Sequence, residues 1–305
     1  MEELAWLLER PAFTVDGEPF SWGDVLLSAE LRGTLAELRR ETGVRAARAR
    51  RLQVDRGELK AAAERFRYGR GLLSAEELET WLDSWHLALG EWTAYLERAL
   101  LGARDDGDPA ADDVEISREV AVDAICSGFL EREARRLGAD AVLGSAGPGD
   151  RRAQIAAFAS SAAAARAALA RAADVEHEVG ARSLEWTRLD AELLELSDGD
   201  TAREAALCVR DDGRSLADVA ADCGEPLVRR ALYLQEAERE HLPELLGAGP
   251  GELLGPLARG DAFLLVHVVA RTRPSAGDPE LRSRAQAYLV EHAIERELET
   301  RVRFT

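Results

Sequence analysis

The chain of 305 residues is short of bases, of lysine, of methionine and of cysteine. Against 57 Asp and Glu stand 39 Lys and Arg, for a formal net charge of −18. That deficit excludes a general nucleic-acid binder, which needs a basic face to displace phosphate counterions. It also excludes a protein held on an anionic membrane surface. Lys60 is the only lysine and Met1 the only methionine. No stretch of about 18 apolar residues exists, so no bilayer-crossing helix is expected. The first residues include two Glu and no basic region ahead of an apolar run, so no signal peptide is expected. The three cysteines, Cys126, Cys208 and Cys223, are odd in number and scattered in helical patterns. They read as buried thiols of a reducing compartment rather than a disulfide frame, and together these absences point to the cytoplasm.

What is present suits a folded protein: 46% hydrophobic and 31% charged residues give material for a core. The length fits two domains, or one domain with an insertion. Near the N-terminus, Phe13, Val15 and Phe20 flank the turn dipeptide Asp16-Gly17, a hairpin pattern. Ser21 and Asp24 have capping-box spacing, and Val25, Leu26, Leu31, Leu35 and Leu38 continue at helical intervals to a stop expected at Gly43. A second helix is expected over 44–68, basic at first. Ser74 and Glu77 form another capping box, ahead of helices carrying Leu78, Trp81, Leu82, Trp85, Leu89, Trp92, Leu96 and Leu100. Residues 102–113 read as an acidic loop, followed by one long helix with Ile116, Val120, Ile125, Phe129 and Leu137 inward. The Ala-rich run 151–173 has high helix propensity.

The pattern changes near residue 189. A short strand is expected over 193–196, a helix capped at Thr201 and another capped at Ser215. An extended run covers 227–234, and Leu242, Leu245 and Leu246 mark a further helix. Residues 253–257 and 263–269 flank Arg259-Gly260-Asp261 as a second hairpin. Helix returns at Pro279, with a stripe of Val290, Ile294, Leu298 and Val302 beside a second stripe of Leu281, Ala285, Leu289 and Ala293. The fold class expected is α+β, mostly helical. A helical domain over 1–188, completed by a helix at 278–305, would carry an inserted α/β domain at 189–274.

The residues of that insert resemble a degenerate parvulin domain of the SurA- and PrsA-type chaperone foldases. The match rests on Gly249-Pro250-Gly251-Glu252-Leu253-Leu254-Gly255-Pro256 followed by Gly260-Asp261-Ala262-Phe263-Leu264-Leu265-Val266, similar to the family's "GE-x-x-x-P … GYHII" hairpin. Residues 215–221, SLADVAA, resemble the family's "dFaelA" helix. The departures matter as much. The resemblance implies two histidines on neighbouring strands; the first position falls on Glu192 or nearby and the second on Leu264, while His267 lies on the opposite side of its strand. The "GG-x-x-G-x-F" loop is absent, and no Met is available to line a proline pocket. The chain also resembles cytosolic PpiC-related proteins of peptide-maturation systems, which implies a role with a ribosomally made precursor peptide.

The remaining chemistry is sparse. His86, His177, His241, His267 and His292 lack metal-ligand spacing, so no metal is expected, and no phosphate loop, dinucleotide fingerprint or nucleophile elbow implies a cofactor or a catalytic residue. Trp81, Trp85 and Trp92 either line an aromatic cleft for a peptide or serve as core. Tyr233, Leu242, Phe263 and Leu264 are further peptide-binding candidates, with Phe263 alternatively a sheet residue packed on a helix. Arg45, Arg48 and Arg51 form a basic face for a partner, or a solvated surface. The function expected is a non-catalytic, chaperone-like peptide binder whose partners are an unfolded or precursor peptide and a peptide-modifying enzyme. The alternatives are an isomerase with a diverged pocket and a scaffold for a partner enzyme.

Overall fold

The computed structural model describes residues 5–102, 118–172 and 174–305. Most of the acidic loop expected over 102–113, and Ile116, lie outside them. The chain is α+β, mostly helical, with two antiparallel sheets. It divides into two compact units, Met1–Ala168 with His292–Thr305, and Leu169–Glu291.

The first unit opens with α1 (Ala5–Glu9) and the hairpin β1 (Pro11–Val15) and β2 (Glu18–Ser21), turned by Asp16 and Gly17 in the left-handed region. Ser21 then caps α2 (Trp22–Arg32): its hydroxyl accepts from the Asp24 N–H, and the Asp24 carboxylate accepts from the Ser21 N–H. The helix stops at Gly33, whose φ of 82° terminates it, not at Gly43. The apolar period runs through Gly33 in phase, so sequence spacing hides the break. Gly43 instead lies inside α3 (Thr34–Ala49), and α4 (Arg56–Gly69) starts anew from an Asp55 cap. The basic stretch 45–56 is therefore the end of one helix, a connection and the start of another. Ser74 and Glu77 make the expected capping box of α5 (Ala75–Ser84), and α6 (Leu89–Gly102) follows. The long helix expected after the loop is two: α7 (Arg118–Cys126) and α8 (Phe129–Leu143), separated at Gly128 with φ 71°.

The core gathers Phe13, Phe20, Leu35, Ile125, Leu130, Leu137 and Ile155, and the Phe13 and Phe20 rings stack at 4.9 Å. Two buried carboxylates lie in this unit. Asp123 accepts from Thr42 Oγ1 at 3.0 Å and from the Arg98 guanidinium; Asp140 is paired with Arg32 and Arg166. The Ala-rich run forms α9 (Arg151–Ala172).

The second unit contains α10 (Val175–Ala181), then β3 (Arg188–Leu196), much longer than the strand expected. Helix α11 (Gly199–Arg210) is capped by Asp198, which accepts from the Thr201 N–H, so Thr201 lies inside the helix rather than capping it. Ser215 caps α12 (Leu216–Cys223) as expected. Then come β4 (Leu227–Tyr233), α13 (Leu242–Gly247) and the hairpin β5 (Leu253–Arg259) and β6 (Ala262–Thr272). The sheet order is β4-β3-β6-β5, all antiparallel. Side chains alternate across it. On one face Leu194, Leu196, Leu253 and Leu265 pack with residues of α11 and α12; on the other Leu189, Ala191, Leu193, Val266 and Val268 pack with Leu245.

The last helix, α14 (Pro279–Arg301), ends one residue short of Val302. Val302 begins β7 (Val302–Phe304), which pairs with β1 and makes the first sheet three-stranded, in the order β2-β1-β7. Val302 sits in phase with Leu298 and Ile294, which is why spacing alone assigns it to the helix.

Candidate functional site

The second sheet has an edge and a partly covered face, and the candidate site lies where they meet. Register fixes which side chains share that face: Leu193 opposes Val228 and Val266, Ala191 opposes Arg230 and Val268, and Glu195 opposes Leu264. Helix α13 covers part of the face. Arg271 pins it there, its Nη1 donating to the carbonyls of Leu246 and Ala248, each at 2.8 Å. Beside it a cleft encloses about 120 Å³, walled by Leu189, Leu193, Leu232, Leu257, Leu264 and Val266. An engineered apolar cavity of about 150 Å³ holds one benzene, so this one suits a single medium-sized apolar group. The cleft continues along the sheet past Leu193 and Leu264 to Pro226 and Val228.

Polar groups ring the cleft. The His241 Nε2–H donates to the Ala258 carbonyl at 2.7 Å, tying the start of α13 to β5. The Tyr233 hydroxyl donates to Glu280 at 3.4 Å; burial, then the neighbouring Glu280 charge, pushes its pKa up, so it stays a neutral phenol. Glu236, Glu238, Arg230 and Arg259 all line the cleft, and Glu195 and Glu225 line its continuation together with the two arginines. Arg259 is matched by Glu195 at 3.4 Å.

The opposite face carries a different group. Glu192 opposes both Arg229 and His267 across the strands, accepting from Arg229 at 2.7 Å and meeting His267 Nδ1 at 3.1 Å. Burial alone would raise the Glu192 carboxyl, but hydrogen bonds from His267 and Arg229 outweigh it and hold the pKa below its usual value. Glu192 and Leu264, the positions that the resemblance aligns with the family's two histidines, thus lie on opposite faces of the sheet. Of the β3 residues next to Glu192, Ala191 and Leu193 share the face of Leu264.

The predicted peptide-binding residues separate into groups. Tyr233 and Leu264 line the cleft. Leu242 packs into the cluster beneath it. Phe263 faces the other way, against α11, where a Cβ on Gly199 would lie 2.9 Å from its ring. Trp85 and Trp92 are buried in the first unit, and Trp81 packs against the same core, edge-on to Phe66 at 5.4 Å. Arg45 is paired with Glu41 at 2.8 Å, Arg48 donates to the Gly102 carbonyl at 3.4 Å, and Arg51 is exposed beyond the end of α3. Leu189, Leu193, Arg230 and Leu257 are cleft residues that the sequence reading did not single out. The alternation in 227–233 puts Val228, Arg230 and Leu232 on one face, but nothing in it says that the strand is an edge.

Among the described residues no group of three or more His, Cys, Asp or Glu is placed to hold a metal ion, and no helix is long and apolar enough to cross a membrane. No family model and no curated protein matches the chain. Among solved structures, a chain described as a SurA-like chaperone of Campylobacter jejuni aligns over 97% of this chain and 99% of its own, at 9% identity and a TM-score of 0.21.

Proposed function

We propose that the chain is a peptide-binding, chaperone-like protein of the cytoplasm that holds an unfolded or precursor peptide through the cleft on its second sheet. A single apolar side chain of the peptide enters the cavity between Leu193, Leu257 and Leu264, and burial of apolar surface supplies the affinity. The observation that carries this reading is the composition of that cavity: its walls are aliphatic and its polar groups sit at the rim. The parvulin-like reading of the second unit draws support from the same place. The residues behind it lie in α12 with its Ser215 cap, and in the β5–β6 hairpin with the four residues ahead of it. Neither position that the resemblance aligns with a family histidine, Glu192 or nearby and Leu264, carries one, so the cleft binds without isomerising. A precursor peptide awaiting modification is the client proposed, with the modifying enzyme as a second partner.

Fluorescence anisotropy with labelled unfolded and leader-type peptides tests this. Affinities of about 1–100 μM are expected, roughly 5–8 kcal/mol of binding, weakened about tenfold or more by Leu264→Gln. Binding no tighter than about 1 mM for every peptide tried would reject the proposal. A protease-coupled proline-isomerisation assay is expected to show no acceleration over the denatured control; acceleration would make the protein an isomerase.

A further inference from the structure

Strand β4 ends the second sheet on one side, and its residues 228–231 are all exposed. An edge strand leaves alternate backbone N–H and C=O groups without a partner strand, and an extended peptide can supply one. Two features mark this edge as a docking surface. Val228 is an exposed large apolar residue on the cleft side, in line with Leu193. Arg230, on the same side, makes no ion pair or hydrogen bond among the described residues, whereas Arg229 is held by Glu192 and Arg259 by Glu195. An unpartnered guanidinium beside an apolar cleft, on a chain of net charge −18, is a specific point of attachment for a carboxylate.

We propose that β4 accepts an extended peptide as a fifth strand, and that the peptide carries a carboxylate opposite Arg230 flanked by apolar residues on the same face. The proposal rests on the peptide-binding reading above and names its ligand. The pattern follows from register. Peptide residues facing the cleft meet Val228, Arg230 and Leu232 in turn, so they are apolar, acidic and apolar; the residue facing Arg229 on the other side is acidic or polar. Opposite charges placed directly across strands stabilise pairing and like charges oppose it. Arg259 is already matched by Glu195, and Glu236 and Glu238 oppose a carboxylate elsewhere in the cleft, so Arg230 is the cation left for the acid. The competing role for Arg229 and Arg230 is to keep the edge from pairing at all, as edge charges do in many sheets. The two roles differ in outcome.

The test uses the full-length protein and a labelled nine-residue peptide with central glutamates between valines, a lysine counterpart, and the glutamate peptide N-methylated at alternate residues in each register. Expected results are about tenfold tighter binding of the acidic peptide than of the basic one, reversal of that preference in Arg230→Glu, and loss of binding in one N-methylation register only. An unchanged preference in Arg230→Glu, or full affinity in both methylated registers, overturns the proposal. If Leu264→Gln weakens every peptide while Arg230→Glu changes nothing, strand addition fails and the cleft reading stands. If Arg230→Glu reverses the preference while Leu264→Gln has no effect, the cleft reading fails instead. Absence of binding by all peptides overturns both. Unchanged circular dichroism of the two variants establishes that they are folded.

Discussion

Single residues in this chain are governed by where their polar atoms find partners. Ser21, Ser74 and Ser215 were readable as caps because a cap is a local contract: a hydroxyl two or three residues ahead of free N–H groups suffices. Asp123 and Asp140 were not readable. Their partners, Arg98 and Thr42 for one, Arg32 and Arg166 for the other, lie 25 to 108 residues away. Cys126 shows how burial sets chemistry. Its thiol is enclosed, and burial pushes its pKa from 9.0 up to about 12, with Arg70 opposing the rise only in part. The folded state therefore favours the neutral thiol, and the stability it lends is fully present below about pH 9 and lost as pH climbs toward the folded value. The thiolate is the nucleophile in alkylation. Iodoacetamide at pH 8 is accordingly expected to label the half-buried Cys208 and Cys223 in the native protein and to spare Cys126. Intact mass should show two adducts when native and three in denaturant; three at equal rates in the native protein would contradict the burial.

Elements form where periodicity is in phase, and fail where a glycine or a partner strand intervenes. Gly33 and Gly128 each terminate a helix that apolar spacing would continue, because a left-handed φ breaks the hydrogen-bond ladder without disturbing the side-chain period. Strand β7 forms because β1, at the other end of the sequence, offers it a partner. The β5–β6 hairpin was legible from its turn, but the irregularity that shapes the cleft was not. The register shifts between Leu254 and Leu257, with Gly255 at φ 101°. A Cβ there would lie 2.5 Å from the Leu264 carbonyl oxygen and 2.9 Å from the Leu257 N. Both obstacles are backbone, so no side chain can yield. Gly255→Ala is expected to lower stability by at least about 2 kcal/mol, combining left-handed strain with the clash. Gly251 is the control: its φ of 85° carries the strain, yet nothing lies within 4 Å, so Gly251→Ala should cost about 1–2 kcal/mol. Urea midpoints at unchanged slope measure both; equal losses would remove the steric role of Gly255.

For the whole molecule, the candidate site was half visible in the sequence. Tyr233 and Leu264 converge on the cleft, whereas the tryptophans, chosen for the same apolar bulk, lie in or against the first unit's core. Spacing marks a residue as apolar on one face of an element and is silent on whether another element covers that face. Sheet order decides it, and only pairing shows that β4 is an edge. Net charge, by contrast, is visible from the outset and acts at a different range from Arg230. At about 10 mM salt the Debye length is about 30 Å, so an approaching acidic peptide feels the field of all −18 charges. At about 150 mM it falls to about 8 Å, and the peptide meets mainly the groups within reach of the edge. Repulsion limits encounter, and contact with Arg230 governs escape. The association rate of the acidic peptide is therefore expected to rise by about threefold or more between these salt concentrations, with dissociation quickening less, so that affinity improves with salt. A basic peptide should show the opposite trend, attracted at long range and rejected at the edge. Stopped-flow anisotropy resolves the two rates. An association rate for the acidic peptide that falls with salt would mean that a local positive field, and not the net charge, guides the encounter.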